Sequence, residues 1–183
     1  MPTFRSIAAV TMIVALASPA TALAGETTII MNLTDANGIG RRVGLVKAED
    51  TPYGLLLTPN LLGLPPGPHG FHVHENPACG PGEKNGQVVP GLAAGGHFDP
   101  FKTGRHAGPY GDGHLGDLPP LMVDQEGKAT IPVLAPRLKV AYLEGRSLMI
   151  HLHGDNYSDI PKPLGGGGAR LAKSHQLRHP IHT

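Results

Sequence analysis

Apolar residues recur at every second position in several short runs of this chain. TTIIMNL (27–33), RRVGLVKAE (41–49), YGLLLTP (53–59), GFHVHE (70–75), KATIPVLA (128–135) and RSLMIHLH (146–153) carry that alternation, bounded by Gly, Pro and Asn. A period of two sends one face of each run into a core and the other outward, so these runs predict β-strands. No segment carries a helical period. Residues 76–120 are rich in Gly, Pro and His and show little strand pattern. So long a connection inside a compact domain calls for a ligand, a metal or a disulfide to order it.

Composition agrees with a single all-β domain. A chain of 183 residues that is 40% hydrophobic can bury one core, and 4% aromatic content without Trp makes that core mainly aliphatic. Gly 26 and Pro 19 together exceed one residue in five, which favours turns and long loops over a helical bundle.

The amino terminus reads separately. Arg5, the apolar run IAAVTMIVALASPA and the small residues ALA before Gly25 form the three-part pattern of a secretory signal peptide, residues 1–24, cleaved after Ala24. The apolar stretch is short for a membrane span, so the mature form is expected to have no membrane partner. Export predicts a bacterial periplasm, an oxidising compartment in which cysteines usually pair. Removing Arg5 takes the formal charge from +1 to 0. A neutral mature chain without a basic run argues against nucleic acid as a partner.

The candidate chemistry lies in the histidines. On a strand His72 and His74 share a face, roughly 6.5–7 Å apart, so both imidazoles can reach one metal ion. An isolated H-x-H occurs easily by chance, but here it has company. His97, His106, His114 and Asp117 fall within 21 residues of a loop, and His151 lies on a later strand. Three imidazoles and a carboxylate, with no thiolate, form a plausible tetrahedral site that favours Zn²⁺.

Further motifs run in order through residues 26 to 172: HGFHVHENP (69–77), LAAGGHFDP (92–100), TGRH (103–106), HLGDLP (114–119), LAPRLK (134–139), SLMIH (147–151), GDNYSD (154–159) and PLGGGGAR (163–170). With these the chain resembles the bacterial exported copper/zinc superoxide dismutases. The resemblance implies a flattened eight-stranded Greek-key β-barrel of immunoglobulin-like sandwich architecture with long metal-binding loops, over residues 25–172. It implies that His72, His74, His97 and His151 bind copper, that His97, His106, His114 and Asp117 bind zinc, and that His97 bridges both. Arg170 matches the arginine that draws superoxide to copper, and Asp155 the aspartate that links a copper-side to a zinc-side histidine. His69 resembles a supporting residue, not a ligand. Gly165 to Gly168 read as room for loop approach, since no helix and no Lys-Ser/Thr follow to bind phosphate.

Two departures stand out. Residue 153, usually Gly in the bacterial relatives, is His153. Strand alternation would place it on the face of His151, but the GDN that follows suggests the strand is ending, so it reads as an extra titratable group at the rim. At 173, where the family has the cysteine that pairs with the equivalent of Cys79, this chain has Lys173. The polar segment KSHQLRHPIHT (173–183) therefore reads as a divergent tail, and Cys79 is expected to be unpaired.

The function implied is disproportionation of superoxide to dioxygen and hydrogen peroxide at a copper centre cycling Cu(II)/Cu(I), with a histidine-bridged structural zinc. The alternative is a periplasmic copper- and zinc-binding protein of the same fold with little turnover, its last strand and arginine loosened. The resemblance admits a homodimer as well as a monomer.

Overall fold

A computed structural model describes residues 25–174. The expected signal segment with its cleavage after Ala24, and positions 175–183 of the expected tail, lie outside the described residues. The strands are β1 (Glu26–Asp35), β2 (Gly38–Thr51), β3 (Gly54–Leu62), β4 (Gly67–His69), β5 (Phe71–His74), β6 (Gly82–Lys84), β7 (Gln87–Val89), β8 (Leu121–Val123), β9 (Lys128–Ala129), β10 (Val133–Ala135), β11 (Ser147–His151) and β12 (Arg170–Ser174). Among the described residues the only helical pieces are short 3₁₀ turns at Leu92–Ala94, Val140–Leu143 and Leu164–Gly166.

An antiparallel sheet of eight strands runs in the order β10-β3-β2-β1-β12-β11-β5, with β9 also on β3. The last strand thus returns to lie beside the first, the Greek-key connection, and the sheet curls into a flattened barrel. β4 and β8 form a separate antiparallel pair, Gly67 to Val123 and His69 to Leu121.

The alternation read along the chain is what fills the barrel. Ile29 and Met31 of β1, Val46 of β2, Leu55 and Leu57 of β3, Phe71 and Val73 of β5, and Leu148 and Ile150 of β11 are all fully buried. Each such side chain contributes roughly 1.5–3 kcal/mol from leaving water. The opposite faces of β5 and β11 carry His72, His74 and His151, and these are buried too, under the long loop.

The structure departs from the expected strands in four places. The run 128–135 breaks into β9 and β10 around Pro132, which has no N–H to give a ladder. The run 146–153 stops at His151, because the next two amides turn to the glycine-rich loop: Leu152 N–H donates to Ala169 O and His153 N–H to Gly167 O, both at 2.8 Å. Within 76–120, β6 and β7 form a hairpin across Asn85-Gly86, both at positive φ (54° and 74°), a turn signal passed over in the sequence. Finally β12 runs two residues into the segment read as tail, with Lys173 opposite Asn32 and Ser174 opposite Met31. Main-chain pairing on both flanks carries the strand there, and Ser174 Oγ accepts the Leu148 amide at 2.9 Å.

Candidate metal centre

β5 supplies His72 and His74, and the end of β11 supplies His151. The long loop brings the rest by running antiparallel along the free edge of β5, where isolated bridges pair His72 with Asp117 and His74 with His97. Val73 N–H donates to Gly116 O and Phe98 N–H to Val73 O, both at 2.8 Å. Gly116 is needed for that approach, since a Cβ there would lie 2.3 Å from Val73 O.

The hydrogen-bond partners decide which ring nitrogen is left to bind. His74 Nδ1–H donates to Gly95 O at 3.0 Å and His151 Nδ1–H to Gly168 O at 3.1 Å, because a carbonyl only accepts. Their Nε2 atoms then present lone pairs to each other at 3.3 Å. Asp155 takes N–H bonds from His72 Nε2 and His106 Nε2, both at 2.7 Å, leaving each Nδ1 as the free donor atom. His97 Nδ1 lies 3.0 Å from Asp117 Oδ1, and His72 stacks on His97 with centroids 3.8 Å apart.

Four of these nitrogens are buried without a well-directed hydrogen bond: His72 Nδ1, His97 Nε2, His106 Nδ1, which lies 3.0 Å from Asp117 Oδ2, and His114 Nδ1. Orphaned buried polar atoms are costly, and here they converge. Among the described residues, two sets offer one ligand atom each within 4.8 Å: His72, His74, His97 and His151, and His72, His97, His106 and Asp117. His114 stands just outside the second set, its Nδ1 3.5 Å from Asp117 Oδ1.

Electrostatics suit a cation. Burial, reinforced by neighbouring imidazoles, lowers His72 and His74 well below the usual value and takes His151 to about 4, so all three keep a lone pair at neutral pH. Burial also lowers His97, against the pull of Asp117. For His106 burial is outweighed by the flanking Asp117 and Asp155, which hold it up at about 9. The same contacts overcome burial in Asp117 and Asp155 and keep both carboxylates well below their usual range. The neutral imidazoles of His72, His74, His97 and His151 are open to a divalent ion without proton competition, whereas a metal bound at His106 displaces the proton that Asp117 and Asp155 hold there.

Arg170 lies beside the set formed by His72, His74, His97 and His151. Its Nη1 donates to Gly91 O at 2.7 Å and its Nη2 to Gly95 O, the carbonyl that also orients His74. Asp155 sits between His72 and His106 and accepts a hydrogen bond from each. His153 is exposed and outside both ligand sets, its ring lying over Gly168. His69 is buried with its nitrogens 2.8 Å from Pro65 O and His151 O. Cys79 is free, buried, and lines a cavity of about 370 Å³ together with Gly38, Ile39 and Lys173.

A family model for copper/zinc superoxide dismutase matches residues 42–174. The chain belongs to the copper/zinc superoxide dismutase family. Superoxide dismutase [Cu-Zn] 1 of Salmonella typhimurium is 58% identical over 151 residues, covering 80% of this chain and 85% of that protein. The structure of the Cu/Zn superoxide dismutase from Brucella abortus superimposes with a TM-score of 0.82 at 53% identity, over 84% of this chain and all of that one. The solution structure of the monomeric enzyme from Salmonella enterica gives a TM-score of 0.75 at 52% identity, covering 84% of this chain and 100% of that one. This dismutase is thus an enzyme that disproportionates superoxide, with copper and zinc as its cofactors. The relatives favour that activity over metal binding without turnover.

Sequence reasoning passed over the residues that position the dismutase's groups through their main chain. Gly95 and Gly91 act through carbonyl oxygens, which no side-chain pattern reveals. Arg137, inside the motif LAPRLK, makes a cluster of bonds to the loop that spacing alone does not announce.

Proposed function

We propose that His72, His74, His97 and His151 hold copper, that His97, His106, His114 and Asp117 hold zinc, and that Arg170 guides superoxide to the copper side. The observation that carries this reading is the pair of Nε2 lone pairs of His74 and His151, 3.3 Å apart with both Nδ1–H groups already committed to carbonyls. Two neutral imidazoles so placed repel each other unless a cation lies against them.

Bound copper supplies one-electron transfer, taking an electron from one superoxide and giving it to the next, while bound zinc supplies fixed charge and order. The chain's own residues do the remainder. Arg170 attracts the anion and offers it N–H donors, its guanidinium held by Gly91 and Gly95. His97 is the shared residue: Nδ1 faces Asp117, and Nε2 is the atom at which a proton is held for the peroxide product. Asp155 keeps His72 and His106 in the tautomers that aim Nδ1 at the ions. Two superoxide anions and two protons give one dioxygen and one hydrogen peroxide.

Residues 1–24 act in this reading as an export signal cleaved after Ala24, delivering the domain 25–172 and its divergent terminus to the periplasm. Mass analysis of the protein recovered from a periplasmic fraction tests that.

The ligand assignment is tested by metal content and superoxide disproportionation of the mature protein after loading with both metals. His151→Ala is expected to lose copper and activity while keeping zinc. Full copper occupancy in that variant would overturn the assignment.

A further inference from the structure

We propose that Arg137 is the positioning residue of the zinc site, a clamp that sets the distance between His106 and His114 before metal arrives; this rests on the reading that His106, His114 and Asp117 hold zinc. Arg137 follows β10, whose pairing with β3 ties it to the barrel wall through Val133–Leu57 and Ala135–Leu55. Next to it Leu138 is buried in the core and its amide closes a turn on Ala135 O at 3.2 Å. The base of the side chain is therefore anchored.

Its guanidinium reaches across to the loop between the two histidines and donates to four main-chain carbonyls there. Nε bonds Pro109 O at 3.1 Å, Nη1 bonds Gly113 O at 3.2 Å, and Nη2 bonds Gly108 O at 3.4 Å and His114 O at 2.5 Å. A planar fork of N–H donors suits this task, and the point charge of lysine does not. His114 is held at both ends of its peptide, since its own N–H donates to Arg105 O at 2.9 Å. The loop is also folded tightly enough that a Cβ on Gly111 would lie 2.4 Å from Ala107 O, and one on Gly113 2.3 Å from Arg105 O.

His114 is the expected ligand standing just outside the compact donor set, and its Nδ1 is buried without a hydrogen-bond partner. Its ring has only a long contact to Asp117 Oδ1 at 3.5 Å, against the 2.7–3.0 Å bonds that aim His72 and His106 on Asp155 or His74 on Gly95. Its aim comes from its backbone, and Arg137 holds that backbone. Groups that orient a metal ligand typically account for ten- to hundredfold in affinity.

The experiment is zinc binding to the metal-free mature protein by competition with a chromophoric chelator, with Co²⁺ as spectroscopic probe of the same site. Arg137→Ala is expected to weaken zinc ten- to hundredfold and to diminish the tetrahedral Co²⁺ absorption, with copper affinity changed less than threefold. Arg137→Lys is expected to recover only part of the loss. Ile29→Val, which trims the core on β1 away from the β3–β10 pairing, controls for general destabilisation and is expected to leave zinc affinity unchanged. His114→Ala separates the two readings. If it keeps wild-type zinc affinity, the zinc assignment fails. If it loses zinc while Arg137→Ala binds as wild type, or Ile29→Val loses as much as Arg137→Ala, the clamp is wrong.

Discussion

Lys173 offers a test in which one substitution rebuilds a cross-link the family normally carries. Met149 and Lys173 are directly opposed on the antiparallel pair β11–β12, so their side chains share a face, and Cys79 packs on Met149 on that same face. Cys79 and Lys173 also line one cavity. Lys173→Cys should therefore place a second thiol within bridging reach of Cys79. The bridge would close a loop of 94 residues (173 − 79), worth about 4–5 kcal/mol in the loop-entropy model. Removing Lys173 adds in the same direction: the residue is 2% exposed, burial lowers its pKa, and its ammonium has a 3.3 Å contact to Gly38 O. At about 2–4 °C per kcal/mol for a domain of this size, the bridge predicts a rise of roughly 8–20 °C in Tm. Engineered bridges often deliver less, so about 5 °C is the smallest rise that supports the geometry. The assay is thermal unfolding of the metal-free mature K173C protein with and without reductant, alongside titration of free thiols. The reductant comparison isolates the bridge from the loss of the lysine. Coincident melts, or two titratable thiols after oxidation, would refute the argument that positions 79 and 173 face each other.

Other outcomes follow from the same contacts. Arg170→Ala should lower superoxide disproportionation per bound copper about tenfold and flatten its dependence on salt, at unchanged copper content by atomic absorption. Asp155→Ala removes the acceptor shared by His72 and His106 and should weaken metal binding about ten- to hundredfold, read by chelator competition. Burial, then the charge of Asp155 and Tyr110, raises the Tyr157 phenol to about 12. The unfolded chain ionises that phenol first, so its contribution is complete below about pH 10 and is lost as pH rises toward about 12. Urea unfolding across that range should show a shallower alkaline decline for Tyr157→Phe, and the ultraviolet titration of the variant should lack the latest-ionising tyrosine.

Much of the fold was legible because strand alternation is a local property. Phe71 and Val73 against His72 and His74 divide a buried strand between core and metal face, and the same holds for Leu148 and Ile150 against His151. The errors came where one residue overrules the pattern. Pro132 splits a run whose apolar spacing continues, and the amides of Leu152 and His153 turn to a loop, so that alternation no longer says where His153 points. The first two residues of the segment read as tail join the strand for a related reason: Lys173 and Ser174 are polar, yet a strand flanked on both sides is held by its backbone. The ligand candidates were legible as residue types and motif positions. Arg137 was not, since its partners are carbonyls 23 to 29 residues away.

By itself the sequence determined the all-β class, the apolar face of each strand, and the chemical inventory of imidazoles and carboxylates able to hold metal, because each depends on residue type and short-range spacing. Only the tertiary structure decided which nitrogen of each imidazole is free. That choice belongs to Asp155, Gly95 and Gly168, which accept a hydrogen bond from the other nitrogen from 17 to 83 residues away. It also decided that Arg170 is seated without a disulfide, through the carbonyls of Gly91 and Gly95. Main-chain acceptors are present at every residue, so nothing in a sequence marks the few that the folded loop turns toward a site.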